Sequence, residues 1–597
     1  MKELKSRKDV DPKYTWNLRD IIQSQEEWES EFTSIKESLP HLVSYQGKLT
    51  ESSDSLYRIL SDIDTLLIRL YRLYVYSNMN LHEDTSNTDA QALVQRIGNL
   101  EASVSTSLAF LEPELMSADE TLLQNYINTN QNLASYRHYF DNMLRQKAHI
   151  LPKEQEELLS LTKDFSTSPS DIFSMFMNAD LVFPEILDEN GNKVRLTHGS
   201  YVPFMESSKV EVRKAAFEAM YQTIEASKNT LTSIYLASLK KDVFFARARK
   251  FNSCCEGSLF ANNIHLSVYD NLVDVVHKNL PLLHRYVSLR KKMLQVNELH
   301  MYDLYVPLIS SVDEEVSIEE AKSIVLSALT PLGEDYQRVL EEGFSSSWID
   351  VYENKGKRSG AYSWGCYGSH PYVLLNFQST LDHVFTLAHE MGHALHTYYS
   401  NQTQPYHYHS YPTFLAEVAS TVNENLLIHD LLEKTLDKKK RMYLINHYLE
   451  SFRGTLYRQV MFAEFERITH NLVEKDEAIT VDVLNKIYLE LNQKYYGSDM
   501  VVDELIQYEW ARIPHFYRSF YVYQYATGFS AAVTLSELIL DKDNYDLDQY
   551  LNFLKSGSSK YPIETLQLAG VDMSSTEPIE KALKVFERLL NEMESLL

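Results

Sequence analysis

Glycine and proline are scarce, with 17 and 16 copies in a chain of 597 residues. These two residues punctuate chains, because they terminate helices and form tight turns. A chain this poor in them is not suited to many short strands joined by turns. Long helices are the expected alternative. The length is well beyond that of a single small core, so several domains or one large composite body are expected. Between about 20 and 175 the apolar residues recur every three or four positions. Leu56, Leu60, Ile63, Leu67, Leu70 and Tyr74 share one helix face. Similar spacing runs through 87–112 and 118–146.

The pattern changes at 180–197. There Leu181-Val182-Phe183 and Val194-Arg195-Leu196 flank Asp188-Glu189-Asn190-Gly191, which suits a β-hairpin. A boundary is expected near 175–205, giving an N-terminal extension (1–20), a helical N-terminal lobe (21–180) and a catalytic region (181–597). Helices resume over 207–250 and 267–295, and Ser317 with Glu320 forms a capping-box signature. Gly360, Gly365 and Gly368 cluster in a stretch rich in Tyr and Ser, and Tyr372 to Phe377 reads as a strand. After Thr380, a good N-cap type, a helix is expected to about Ser400. A second follows from about Thr413 to Lys434. The remainder reads as mostly helical, with no internal repeat.

The formal net charge of -26 argues against nucleic acid and anionic membranes as partners. No run of about 18 apolar residues is present, so no membrane span is expected. Residues 1–9 are basic but lack an apolar stretch, so they do not read as a signal peptide, and a cytoplasmic location is expected. Cys254, Cys255 and Cys366 resemble neither a disulfide framework nor a thiolate zinc site, and are expected to be small buried side chains.

The segment that carries chemistry is His389-Glu390-Met391-Gly392-His393. Residues four apart share a helix face, so two imidazoles can hold one metal ion while Glu390 reaches a water beside it. Zinc accepts neutral imidazole and keeps a position open for water at catalytic sites. The carboxylate can then carry a proton from water to a leaving amine. Chance gives about 0.05 such matches in a chain of this composition. The bland alternative is an amphipathic helix with two surface histidines. The third ligand must lie elsewhere, because His396 and Tyr399 occupy the positions where one zincin class has Gly and a third His. Glu417 lies in an apolar helical context where an unpaired carboxylate is costly. Glu424, two turns on, competes as a ligand or as a partner for an imidazole. A surface salt bridge at Glu417 is the other reading. Farther on, His515 to Gly528 combines one His with many Tyr, which suits donors aimed at an oxyanion; an aromatic core helix is the alternative.

These residues resemble a known family. Thr386 to His396, followed by Tyr411 to Glu424, is similar to the oligoendopeptidase F branch of the thimet oligopeptidase family of zinc metallopeptidases. Lys13 to Leu18, Gly360-Ala361-Tyr362, Tyr372 to Phe377, Met461 to Glu466 and the His515 segment resemble further family blocks in the same order. The resemblance covers nearly the whole chain. It implies a mainly α, two-lobed helical body with a deep substrate channel, a small β element and zincin-type active-site helices. It implies an endopeptidase cutting short peptides, with one Zn2+ held by His389, His393 and Glu417, and Glu390 as general base. It implies that the 372–377 strand pairs with substrate backbone, and that His515 and the following tyrosines bind substrate and oxyanion. Among these Tyr523 comes first, then Tyr517 and Tyr521; the spacing from His515 to Tyr523 departs from that of the thimet branch, which leaves the choice of tyrosine open. A monomer is the expected state.

Two rival readings remain. A carboxypeptidase or dipeptidase of similar fold would need a cation for the substrate carboxylate, and Arg512 and Arg518 keep that open. A non-catalytic peptide-binding protein is the other; the presence of Glu390 argues against it. His396, His407 and His409 are read as a second-sphere or helix-surface residue and two loop residues.

Overall fold

The structure is a computed structural model that describes residues 4–309 and 315–597. Helices make up 71% of the chain. The helix Ser53–Glu83 buries Leu56, Leu60, Ile63 and Leu70, with Leu67 and Tyr74 partly buried along the same face. The Ser52 side chain accepts from the Ser55 amide and caps its first turn. This helix packs against Gln25–Val43 and Thr88–Leu108. Trp28, Ile35, Leu73 and Ile97 fill the core between them. Trp28 keeps its indole N–H satisfied by donating to Ser77 Oγ at 3.0 Å. The capping box at Ser317 and Glu320 forms as its spacing predicts.

Strands are few and short. β1 (Glu185–Leu187) and β2 (Lys193–Arg195) pair antiparallel, with Ile186 opposite Val194. The turn sits where the sequence places it. Asp188 accepts from the amides of Asn190 and Asn192, and Gly191 takes a φ of 78°. The first strand lies later than Leu181–Phe183, the stretch the sequence suggests. Pro184 has no N–H to give to a ladder, so pairing starts after it. β3 (Leu299–His300) pairs in parallel with the strand Met500–Val501, far along the chain.

A three-stranded sheet is made of β4 (Ile349–Asp350), β5 (Tyr362–Trp364) and β6 (Tyr372–Leu374), in the order β4-β6-β5. β6 is shorter than the 372–377 strand expected, but its bonding runs on. Leu375 N–H donates to Asp350 O at 2.8 Å, and Phe377 N–H to Val351 O at 3.0 Å. β6 is parallel to β4 and antiparallel to β5, so it is paired on both sides.

The chain divides into two compact units. The first comprises Met1–Ala148, Glu314–Asp430 and Leu535–Gly570. The second comprises His149–Asp313, Leu431–Thr534 and Val571–Leu597. Each unit takes residues from both the 21–180 and the 181–597 segments, because proximity in space and order along the chain divide the protein differently. Of the N-terminal stretch 1–9, residues 1–3 lie outside the described residues. Among the described residues, no helix is long and apolar enough to cross a membrane. The three cysteines are free and buried.

Candidate metal centre

The helix Leu381–Thr403 begins at Thr380, whose side chain accepts from the His383 amide. It packs on the sheet through β5 and β6. Val384, Leu387, Ala388, Met391 and Leu395 are buried along it. His389 and His393 project together, one turn apart, with their Nε2 atoms 3.1 Å from each other.

The helix Thr413–Lys434 lies against this one, its residues up to Asp430 within the same unit. The approach is close at Gly392. A Cβ there would stand 2.6 Å from Ser420 Cα and 2.8 Å from Ala419 O. Asn423 donates to Ala388 O at 3.0 Å and accepts from the Tyr336 hydroxyl at 3.0 Å, which fixes the register of the two helices. Glu417, Ser420 and Glu424 share one helix face. Glu417 Oε2 lies 3.3 Å from His389 Nε2 and 3.4 Å from His393 Nε2. Ser420 Oγ donates to the same oxygen at 3.1 Å.

These separations test whether a metal fits. Tetrahedral coordination at about 2.0–2.1 Å sets neighbouring ligand atoms about 3.3 Å apart. The three donor atoms meet that spacing, and their chemistry, two imidazoles and a carboxylate, is that of a zinc site. Glu424 is not in the donor set. It hydrogen-bonds His389 Nδ1. A carboxylate accepts, so Nδ1 carries a hydrogen, which would leave Nε2 to present its lone pair to a bound metal.

The electrostatics follow from burial and proximity. Burial works to lower the pKa of His389, but the bonds to Glu417 and Glu424 outweigh it and raise the pKa well above the ordinary value. Burial works to raise that of Glu417, but His389 and His393 hold it well below the carboxylate range. Glu390 is 6% exposed, and its Oε2 has no hydrogen-bond partner. Burial raises its pKa, against the pull of His389 and His393.

His396 is not a surface residue. It is buried, its ring lies 3.7 Å from that of Tyr411 at 5°, and neither nitrogen is hydrogen-bonded. Burial, with His393 adding to it, lowers its pKa to about 3. His407 bonds Asp64 at 2.9 Å and His409 bonds Tyr406 O at 2.5 Å, so both serve loop structure.

The second unit carries the His515 segment. Tyr525 Oη lies 3.4 Å from His515 Nε2, and the rings of Tyr521 and Tyr525 meet edge to face at 5.3 Å. Arg518 lies over the Tyr521 ring at 4.0 Å. His515 has a lowered pKa, from burial first and Arg518 second. Tyr517 stacks on Phe173 at 4.3 Å. Tyr523 is buried against Tyr269, with ring centres 5.2 Å apart, and burial pushes its hydroxyl pKa far up. The structure therefore groups His515 with Tyr521 and Tyr525, whereas Tyr517 lies on Phe173 and Tyr523 beside Tyr269. Arg512 lies 3.8 Å from Glu509 and over the Tyr201 ring at 5.1 Å.

Comparison with known proteins decides the family. Peptidase family M3 matches residues 203–585, and the oligopeptidase F N-terminal family matches residues 114–183. The chain is 48% identical to oligopeptidase PepF of Bacillus subtilis (strain 168), over 100% of this chain and 89% of that protein. The chain belongs to peptidase family M3. This M3 peptidase is also 41% identical to an oligoendopeptidase F homolog of Lactococcus lactis subsp. lactis (strain IL1403), over 99% and 98% of the two chains. A solved structure from Chlamydophila abortus superposes with a TM-score of 0.94 at 35% identity, over 100% of both chains. The crystal structure of oligoendopeptidase-F from Enterococcus faecium gives 0.75 at 39% identity, over 96% and 99%. The M3 peptidase is thus a metallopeptidase that acts on oligopeptides.

Several residues of this M3 peptidase escaped the sequence reading. Gly392 offered a signal, since glycine inside a helix is unfavourable and points to a close approach. Ser420 and Asn423 offered none, because polar residues on an amphipathic helix are ordinary. Tyr525 was hidden among many neighbouring tyrosines. The expectation that the 372–377 strand pairs with substrate meets a geometric obstacle, since β6 is already paired on both sides. β5, which includes Tyr362 of the Gly360-Ala361-Tyr362 block, is the edge strand beside the His389 helix.

Proposed function

We propose that this M3 peptidase is a zinc-dependent endopeptidase that cuts internal bonds of short oligopeptides, working as a cytoplasmic monomer. The observation that carries the reading is the convergence of His389, His393 and Glu417 donor atoms beside the buried, partly unpartnered Glu390. His389, His393 and Glu417 would hold the ion. Bound there, zinc supplies Lewis acidity and makes a neighbouring water more acidic. Glu390 takes the water's proton on its carboxylate and passes it to the leaving amine. Glu424 keeps the His389 ring turned with Nε2 inward. The substrate backbone lies along the edge of β5 as an added strand. His515, Tyr521 and Tyr525 donate hydrogen bonds to the carbonyl oxygen as it gains charge. Tyr517 and Tyr523 are the remaining tyrosine candidates, and either would first need to leave its aromatic neighbour. Along the sequence, the reading keeps 1–20 as an extension, 21–180 as a helical lobe and 181–597 as the catalytic region. The family match over 203–585 supports the last of these.

Mass spectrometry of a digest of mixed peptides of about 5 to 20 residues tests the proposal, comparing zinc-loaded parent with Glu390→Gln. Internal cuts by the parent, and a loss of roughly 10² or more in the variant, are expected. Cuts at one terminus alone would replace the reading with an exopeptidase one. Reloading the metal-free protein with zinc, cobalt or manganese in turn tests the identity of the ion.

A further inference from the structure

Two carboxyl groups in the second unit, one half-buried and one fully buried, take no part in the chemistry above. Both lie under the turn that joins His515 to the helix Tyr523–Leu540. Asp242 comes from the helix Lys228–Ala248, and Glu466 from the helix Arg458–Glu474. The turn they face is strained, because Phe520 has a φ of 57°. That left-handed conformation is unfavourable for a bulky residue and persists only where its surroundings impose it.

The surroundings can be named. The Ser519 hydroxyl donates to Asp242 Oδ2 at 2.5 Å, and Ser258 Oγ donates to Ser519 O at 3.3 Å. The Phe520 ring is buried, 4.6 Å from the His470 ring and 6.0 Å from that of Tyr269. The Phe520 amide favours the charged form of Glu466, although neither carboxyl oxygen has a partner in good hydrogen-bond geometry. Asp242 does more than hold Ser519. Its carboxylate also lies 3.4 Å from His470 Nε2 and 3.2 Å from Lys241 Nζ. His470 Nδ1 faces Glu466 O at 2.8 Å. Two helices and the turn therefore meet at one carboxylate.

We infer that Asp242 is a positioning residue for the peptidase reaction. By fastening Ser519 it holds Phe520 left-handed, and so keeps Tyr521 and Tyr525 beside His515. The buried Glu466 carboxyl forms the floor under the same turn. The inference rests on the reading that His515, Tyr521 and Tyr525 serve the substrate.

The test uses the zinc-loaded full-length protein with Ser519→Ala, Asp242→Ala and Asp242→Asn. Kinetics on an internally quenched peptide are paired with hydrogen exchange of residues 513–526. Ser519→Ala and Asp242→Ala are expected to lower kcat/KM on the order of tenfold, the effect of losing one half-buried hydrogen bond to a charged group. Exchange should quicken within 513–526 while zinc content stays at the parental level. Asp242→Asn keeps an acceptor for the Ser519 hydroxyl, so it should recover to within about threefold of the parent, as the retained hydrogen bond requires. Ser519→Ala with parental kinetics and parental exchange would overturn the inference. So would Asp242→Asn as impaired as Asp242→Ala, because the charge and not the tether would then matter. If Asp242→Ala does not fold, Ser519→Ala decides, since it deletes a single oxygen. His515→Ala and Tyr525→Phe separate the two levels of the argument. Parental activity in both would refute the substrate role of the segment, whereas loss there with none in Ser519→Ala refutes only the positioning role.

Discussion

Replacing Gly392 with alanine should damage metal binding more than it damages the fold. The added Cβ would stand 2.6 Å from Ser420 Cα, 2.8 Å from Ala419 O and 2.9 Å from Ser420 N, where ordinary contacts are 3.4–4 Å. All three atoms are backbone, so no side chain can rotate away. The helices must part locally by about 0.8 Å, the shortfall between 2.6 and 3.4 Å. Good ligand distances hold to within about 0.2 Å, so Glu417 is carried well outside tolerance relative to His389 and His393. A loss of metal affinity on the order of 10- to 100-fold is expected, as for other disturbances of ligand placement. The fold loses less. Alanine improves helix propensity by about 1 kcal/mol, against about 1–3 kcal/mol for overpacking. The assay is competition for zinc with a chromogenic chelator, beside thermal melting of the metal-free protein. Zinc binding as tight as in the parent would refute the argument that the helix spacing sets the ligand geometry.

Glu390→Gln should melt at a higher temperature than the parent when both are metal-free at pH 7–8. The folded pKa of Glu390 is raised, so stability falls as pH rises through it and the buried carboxylate forms; glutamine removes that loss. Equal melting points would count against it. Glu424→Ala should weaken zinc affinity about 10- to 100-fold, through loss of the partner on His389 Nδ1. Excess zinc should restore much of its activity; if zinc affinity is unchanged, Glu424 does not orient the ring. Burial raises the pKa of Glu466 well above the ordinary value, so its contribution to stability is present at low pH and fades as pH rises toward the folded pKa. Urea unfolding at pH 6 and 9 should therefore show Glu466→Gln gaining on the parent at the higher pH. A constant difference between the two proteins would refute this.

Local signals carried much of this structure into the sequence. The face of Leu56 to Leu70, the helix Thr413–Lys434 and the Asn190-Gly191 turn follow from periodicity and turn chemistry, which act over a few residues. His389 and His393 were legible for the same reason, since one helix turn brings them together. Glu417 against Glu424 was not legible from the residues alone. Both lie on one face, and only the approach at Gly392 decides which carboxylate reaches the imidazole Nε2 atoms. The place of β6 in its sheet was equally hidden, because nothing in Tyr372–Leu374 records that β4 and β5 occupy its two sides. The burial of Tyr523 depends on Tyr269, more than 250 residues earlier in the chain, and no local pattern reports a partner so distant.

The two compact units are interleaved along the chain, which passes between them after residues 148, 313, 430, 534 and 570. A growing chain therefore completes neither unit until nearly the whole protein has left the ribosome. The His389 unit waits for residues up to Gly570, although its His389–His393 motif is finished 177 residues before that point. Early helices such as Ser53–Glu83 can form as they emerge, but their unit can close only after synthesis is almost done. Truncation upstream of Gly570 should then leave both units incomplete, whereas removal of Val571–Leu597 takes residues from the second alone, and neither unit can be obtained by cutting the gene at a single place.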